Sequence, residues 1–136
     1  ARYSGSNNST SEYLIYLRSL KVAVLLFNKT GSIFIGAETS TLIPVNTARN
    51  VIVGYSGSGS WTGITIEING VAQTLTNLSS AGTYVCMGNT TQPTLIGSHA
   101  LNTSNYIGTI DELYVFNQLL TADEKALLQT NFYPNI

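Results

Sequence analysis

Seven carboxylates, one histidine and one cysteine are the groups in this 136-residue chain that could move a proton, attack a carbonyl or hold a metal. Glycoside hydrolysis needs two carboxyl groups facing one sugar, about 5 to 9 Å apart. The nearest approach to a carboxylate row is Glu67-Ile68-Asn69, which has no further acid beside it. Asp111 and Glu112 are adjacent, and on an extended chain neighbouring side chains point to opposite faces. Asp123 and Glu124 sit where a helix begins and are explained by capping. His99, in Gly97-Ser98-His99-Ala100, reads as a loop residue with no nucleophile elbow nearby. Cys86, in Tyr84-Val85-Cys86-Met87, reads as a buried strand residue, and alone it makes no intrachain disulfide. No Cys/His spacing suits zinc. The expectation is a protein that is not an enzyme.

Binding chemistry has more to work with. Trp61 lies in Tyr55-Ser56-Gly57-Ser58-Gly59-Ser60-Trp61-Thr62-Gly63, a Gly/Ser loop between two strand-like runs. An aromatic ring at a loop tip stacks on a sugar or docks on a partner, and one folded back plugs the end of the core. Both placements of Trp61 stay open from the sequence. Asn89, Asn102, Asn105 and Tyr106 lie in two further loops and offer amide and hydroxyl partners of the kind sugar hydroxyls use. With Tyr55 and Trp61 they make the candidate carbohydrate- or partner-binding set.

Strands must carry these loops. Short β-branched and aromatic runs alternate with Gly, Ser, Asn and Thr clusters, the pattern of an antiparallel sandwich. Strands are predicted near 12–17, 20–27, 32–36, 49–56, 63–69, 71–76, 83–87, 94–97 and 106–117. Ile64, Ile66 and Ile68 share one face, and Asn69-Gly70 supplies the two positive-φ positions of a type I′ turn. Tyr106 to Asn117 is apolar on both faces, which predicts a central strand buried on both sides. Thr121-Ala122-Asp123-Glu124 is a capping box, in which Thr121 and Glu124 satisfy each other's backbone N–H. It opens a helix over 121–132 with Leu127, Leu128 and Phe132 as its apolar stripe. The expected fold is all-β: an antiparallel two-sheet sandwich, one domain over 1–136, closed by one short C-terminal helix.

Gly108-Thr109-Ile110-Asp111-Glu112-Leu113-Tyr114-Val115-Phe116-Asn117, followed by Leu120-Thr121-Ala122-Asp123-Glu124, resembles the closing signature of the laminin G-like, concanavalin A-like lectin/glucanase superfamily. Ile64-Thr65-Ile66-Glu67-Ile68-Asn69-Gly70-Val71 is similar to that superfamily's central hairpin, with Asn69 at the usual Asp position. The resemblance spans roughly residues 32–132. It implies a jelly-roll topology and a structural role for Asp111, whose carboxylate would hold a neighbouring loop by accepting backbone N–H bonds, with a metal-ligand role as the alternative. Some subfamilies carry calcium in rim loops, but those ligands do not map onto this chain. The hydrolase branches carry Glu-x-Asp-x-x-Glu along one strand, and this chain does not. Nothing in Ala1 to Ser11 matches the family's opening strand. The chain is therefore expected to be the C-terminal part of a longer protein, or to pack against a neighbouring chain.

Composition bounds the partners. Charged residues are 10% of the chain and the net charge is −1, so nothing neutralises a row of phosphates and nucleic-acid binding is not expected. The longest apolar run, Val22 to Phe27, is far short of the ~20 residues of a membrane helix. Ser, Thr and Asn make up about a third of the residues, a polar surface of hydroxyls and amides rather than charges. Six Asn-x-Ser/Thr sequons begin at Asn7, Asn8, Asn28, Asn77, Asn89 and Asn102. These features fit a non-catalytic lectin-like module that recognises a glycan or surface receptor, outside the cell, on its surface or on a virion. The alternative is a structural domain of a capsid, tail or surface array, with other protein chains as partners. No cofactor is required by either, with calcium the only metal the resemblance raises.

Overall fold

The computed structural model describes residues 11–29, 32–99 and 104–132. The chain is mostly β, with two antiparallel sheets and a C-terminal helix. The first sheet runs β1 (Tyr13–Arg18), β2 (Lys21–Phe27), β3 (Phe34–Thr39), and then β7 (Leu75–Asn77) at the far edge. The second runs β4 (Val51–Tyr55), β5 (Ile64–Ile68), β6 (Val71–Ala72). A separate pair joins β8 (Ser98–His99) to β9 (Ser104–Asn105).

Register follows the apolar alternation. Leu26 faces Ile35 and Val24 faces Ala37 across β2 and β3, so cross-strand neighbours share a face. Val22, Val24, Leu26, Ile35 and Ala37 of the first sheet meet Ile64 and Ile66 of the second in one buried cluster that also holds Tyr84. The two sheets therefore pack in a sandwich-like way around a common core. β2 is covered on its other face as well: Ala23 and Phe27 are buried, and the Phe27 and Phe34 rings meet at 5.6 Å. On edge strand β1 the cover runs out. Ile15 pairs with Val24 and Leu17 with Val22, which puts both on the core face, yet both are about half exposed.

The hairpin between β5 and β6 forms as the spacing predicts. Asn69 and Gly70 take φ of 49° and 76°, and Glu67 pairs with Ala72. Asn69 also accepts the Asn50 N–H on its Oδ1 at 2.9 Å, tying the turn to the start of β4. The capping box is present in full. The Thr121 N–H donates to Glu124 Oε2 at 2.7 Å, and the Glu124 N–H returns to Thr121 Oγ1 at 3.3 Å. The helix α1 spans Ala122–Phe132.

Four expected strands are corrected. Residues 71–76 do not return as one strand: Val71–Ala72 pairs with β5, and Leu75–Asn77 crosses to pair with β3 in the other sheet. Residues 83–87 contribute one isolated bridge, Met87 with Asn28, rather than a strand. Residues 94–97 pair with nothing as a strand, and the ladder begins at Ser98. Tyr106 to Asn117 is not a buried central strand. It takes no strand pairing, and Ile107 is 97% and Val115 79% exposed. Apolar side chains on both faces describe a segment suited to burial, but burial needs a neighbour to hydrogen-bond its backbone, and no described strand supplies one. Of the expected helix stripe, Leu128 is half-buried, Leu127 is exposed, and the Phe132 side chain lies outside the described residues; Lys125 and Gln129 line a groove against the β5–β6 hairpin. Cys86 is exposed, not buried.

Candidate functional site

The segment from Tyr55 to Gly63 is tightly tied. Its ends close on each other through the Ser56 N–H donating to the Gly63 carbonyl at 3.0 Å. Gly57 and Gly59 take φ of 77° and 75°, the left-handed conformation that a side chain resists. The Gly59 N–H donates to the Tyr55 hydroxyl at 2.8 Å. Ser60 caps a 3-10 turn over Trp61–Gly63, its side chain accepting from the Thr62 N–H. Ser58, Ser60 and Thr62 hydroxyls hydrogen-bond among the loop's own atoms. A side chain at Gly63 would strike the Ser56 and Ser58 hydroxyls, so the glycine is what lets the loop close. The result is a small ordered platform with hydroxyls on an exposed rim.

Trp61 is half-buried and packs on the core cluster, as does Tyr55. Of the two placements left open by the sequence, the ring is folded back toward the core, with part of its surface still facing solvent. Tyr84 belongs to the same cluster, though the expected strand over 83–87 did not single it out as part of the site. Burial, then the nearby Tyr55 and Cys86, push its hydroxyl up to about 12.

The other candidate residues are scattered. Asn89 is exposed in the loop that Glu12 holds through the Thr90 N–H and hydroxyl. Asn105 and Tyr106 are exposed beside the β8–β9 pair, and the Tyr106 N–H donates to the Gly97 carbonyl at 2.8 Å. Asn102 lies outside the described residues. Asp111 is exposed and has no hydrogen bond to a described residue. Among the described residues no three His, Cys, Asp or Glu side chains gather as a metal site. No described helix is long and apolar enough to cross a membrane.

Compared with models of protein families, with curated proteins and with solved structures, the chain finds no match.

Five of the seven acids make structural contacts. Glu38 pairs with Arg18 and Lys21, and Glu67 pairs with Lys125 of α1. Glu12 holds the Thr90 loop, Glu112 accepts from the Tyr114 hydroxyl, and Glu124 caps α1. A shallow groove of about 280 Å³ lies between the β5–β6 turn and α1, lined by Glu67, Gly70, Lys125 and Gln129. Its two charged residues neutralise each other. Of the sequons, Asn28 is buried, its Oδ1 accepting the Val85 and Cys86 N–H groups. It is sealed from any glycan. Asn77 and Asn89 are exposed.

Proposed function

We propose that this chain is a non-catalytic recognition module, a jelly-roll sandwich of the laminin G-like, concanavalin A-like kind, that binds glycans through the Tyr55–Gly63 platform. One observation carries the reading: an ordered, hydroxyl-rimmed loop holds a partly exposed indole against the core. A pyranose ring presents a C–H face that stacks on an aromatic surface and hydroxyls that pair with a polar rim. A loop already tied down loses little entropy when it binds. Glu12, Glu38, Glu67, Glu112 and Glu124 are engaged in structural contacts, which favours binding over hydrolysis by a facing carboxylate pair. The same reading places the protein outside the cell, on a surface or a virion, where glycans are met. A glycan array probed with the soluble protein tests it. Binding of a defined sugar class that Trp61→Ala removes is the expected result. No binding to any sugar at millimolar concentration contradicts it.

A second reading is an assembly domain of a capsid, tail or surface array. The exposed apolar run from Tyr106 to Phe116 favours it.

A further inference from the structure

Asn28 opens the sequon Asn28-Lys29-Thr30, and the residue is 1% exposed, among the largest fully buried side chains of the described residues. It sits just past the end of β2. Its backbone N–H donates to the Ile33 carbonyl at 2.8 Å, and its backbone bridges to Met87. Its Oδ1 accepts the Val85 and Cys86 N–H groups at 3.2 and 3.3 Å. The neighbouring Lys29 N–H donates to the Cys86 carbonyl at 3.0 Å. One amide thus ties the end of the first sheet to residues 84–87, a segment that delivers Tyr84 to the core cluster. Displacing that amide leaves backbone N–H groups without their acceptor, which is costly wherever water does not replace it.

N-glycan transfer uses the other end of the same amide. In a eukaryotic secretory compartment the asparagine of an Asn-x-Ser/Thr sequon attacks the anomeric carbon of an oligosaccharide carried on a lipid pyrophosphate. An N–C bond forms at Nδ2, the C–O bond to the pyrophosphate breaks, and the amide gives up one proton. The product keeps Oδ1 but carries a branched, hydrated sugar at Nδ2. At a residue 1% exposed there is no room for it, since a packed interior feels even one added methylene. The sugar has to stay in water, and it takes Asn28 away from its two N–H partners. Transfer acts on the chain as it emerges, before folding, so burial in the finished fold gives no protection. Asn77 and Asn89 differ: both are exposed, and Asn77 Oδ1 accepts the Ser79 N–H two residues on at 2.8 Å, a local turn.

We infer that Asn28 is a modification site incompatible with this fold: N-glycan transfer to Asn28 and closure of residues 84–87 onto the core exclude each other, so the chain matures in a compartment without that transfer. The inference goes beyond the recognition reading and uses none of the Tyr55–Gly63 platform, so either holds without the other. It narrows the places that reading allows to surfaces or virions whose proteins fold without meeting the N-glycan donor.

The full chain made in a bacterial cytosol and, separately, behind a eukaryotic secretion signal tests this. Mass spectrometry reads the state of Asn28, and circular dichroism with protease resistance reads folding. The cytosolic protein is expected to fold with Asn28 unmodified. On the secretory route Asn28 is expected to gain the glycan and the product to be retained and degraded. Thr30→Ala removes the sequon and leaves Asn28 in place. It is expected to raise the folded, secreted yield at least roughly threefold, because misfolded chains are triaged by chaperones and proteases. Thr91→Ala removes the sequon of the exposed Asn89 and is expected to leave the yield low. Blocking synthesis of the lipid-linked donor changes no residue and is expected to rescue the parent chain as Thr30→Ala does, which separates the glycan from any effect of Thr30 itself. A cytosolic chain that does not fold, a folded secreted protein with a glycan on Asn28, a parent chain secreted mainly folded with Asn28 unmodified, or no gain from either Thr30→Ala or donor blockade each overturns the inference.

Discussion

Replacing Trp61 with alanine separates its two duties. The indole packs on the cluster that contains Ile64 and Ile66, and it keeps part of its surface in solvent. Removing a fully buried large aromatic costs about 3–5 kcal/mol. With about two-thirds or more of the residue buried, the expected cost is about 2–4 kcal/mol. A direct count agrees: about two-thirds of a ~250 Å² side chain at ~25 cal/mol per Å² is about 4 kcal/mol, an upper value because unfolded chains already bury some surface. A purely loop-tip ring would have cost nearly nothing. Urea denaturation, reading the loss of strand signal by circular dichroism, measures it. Trp61→Phe should recover part of the stability, because it returns an apolar ring to the core. A cost below about 0.5 kcal/mol would show that the ring does not rest on the core. A cost above about 5 kcal/mol would show that it is fully enclosed and has no face left for a sugar.

Asn28→Ala should destabilise by about 2–4 kcal/mol, since it strips the acceptor from the Val85 and Cys86 N–H groups at a buried position; Asn28→Asp, which keeps the acceptors, should cost less in the same urea titration. Thr121→Ala should cost about 1 kcal/mol by removing the helix cap. The backbone and side-chain hydrogen bonds from Thr121 hold the Glu124 carboxyl below its usual range, so the cap's contribution is full above the ordinary carboxylate range and fades as pH falls through the lowered value, read as helix loss by circular dichroism. Tyr84 should be the late titrator among the eight tyrosines, because burial favours its neutral form in the folded protein. Its contribution is full below pH 10 and is lost as pH rises through about 12. An ultraviolet titration should show one phenol ionising with unfolding, and Tyr84→Phe should remove that step.

What was legible in the sequence was local. The Asn69-Gly70 turn needs only two positive-φ residues between period-2 runs, and it appears with its strands in register. The capping box needs only Thr121 and Glu124 three residues apart. Strands β1 to β5 lie within a few residues of their predicted places, because apolar alternation there coincides with a neighbour at the right distance. Tyr106 to Asn117 shows the limit. Periodicity reports which side chains want burial, whereas pairing depends on what strand lies alongside, a fact that no window of sequence contains. Cys86 and Val85 failed the same way, reading as strand because of their apolar run and emerging exposed beside a single bridge. At the candidate site, glycine and serine spacing placed the loop, but flexibility was the natural inference from such a composition. Its rigidity comes from hydroxyl bonds to its own backbone and from Tyr55, a residue outside the Gly/Ser run.

Trp61 is the one tryptophan of the chain, so its fluorescence reports on the proposed platform alone. The most direct measurement is a titration of the folded protein with sugars of each common class, exciting at the red edge of the indole band where tyrosine does not absorb. A saturable change in Trp61 emission with one sugar class, absent with the others, is the result that glycan recognition through this loop predicts. Emission that stays unchanged with every sugar, while a glycan array still reports binding, would contradict it by placing recognition elsewhere on the molecule.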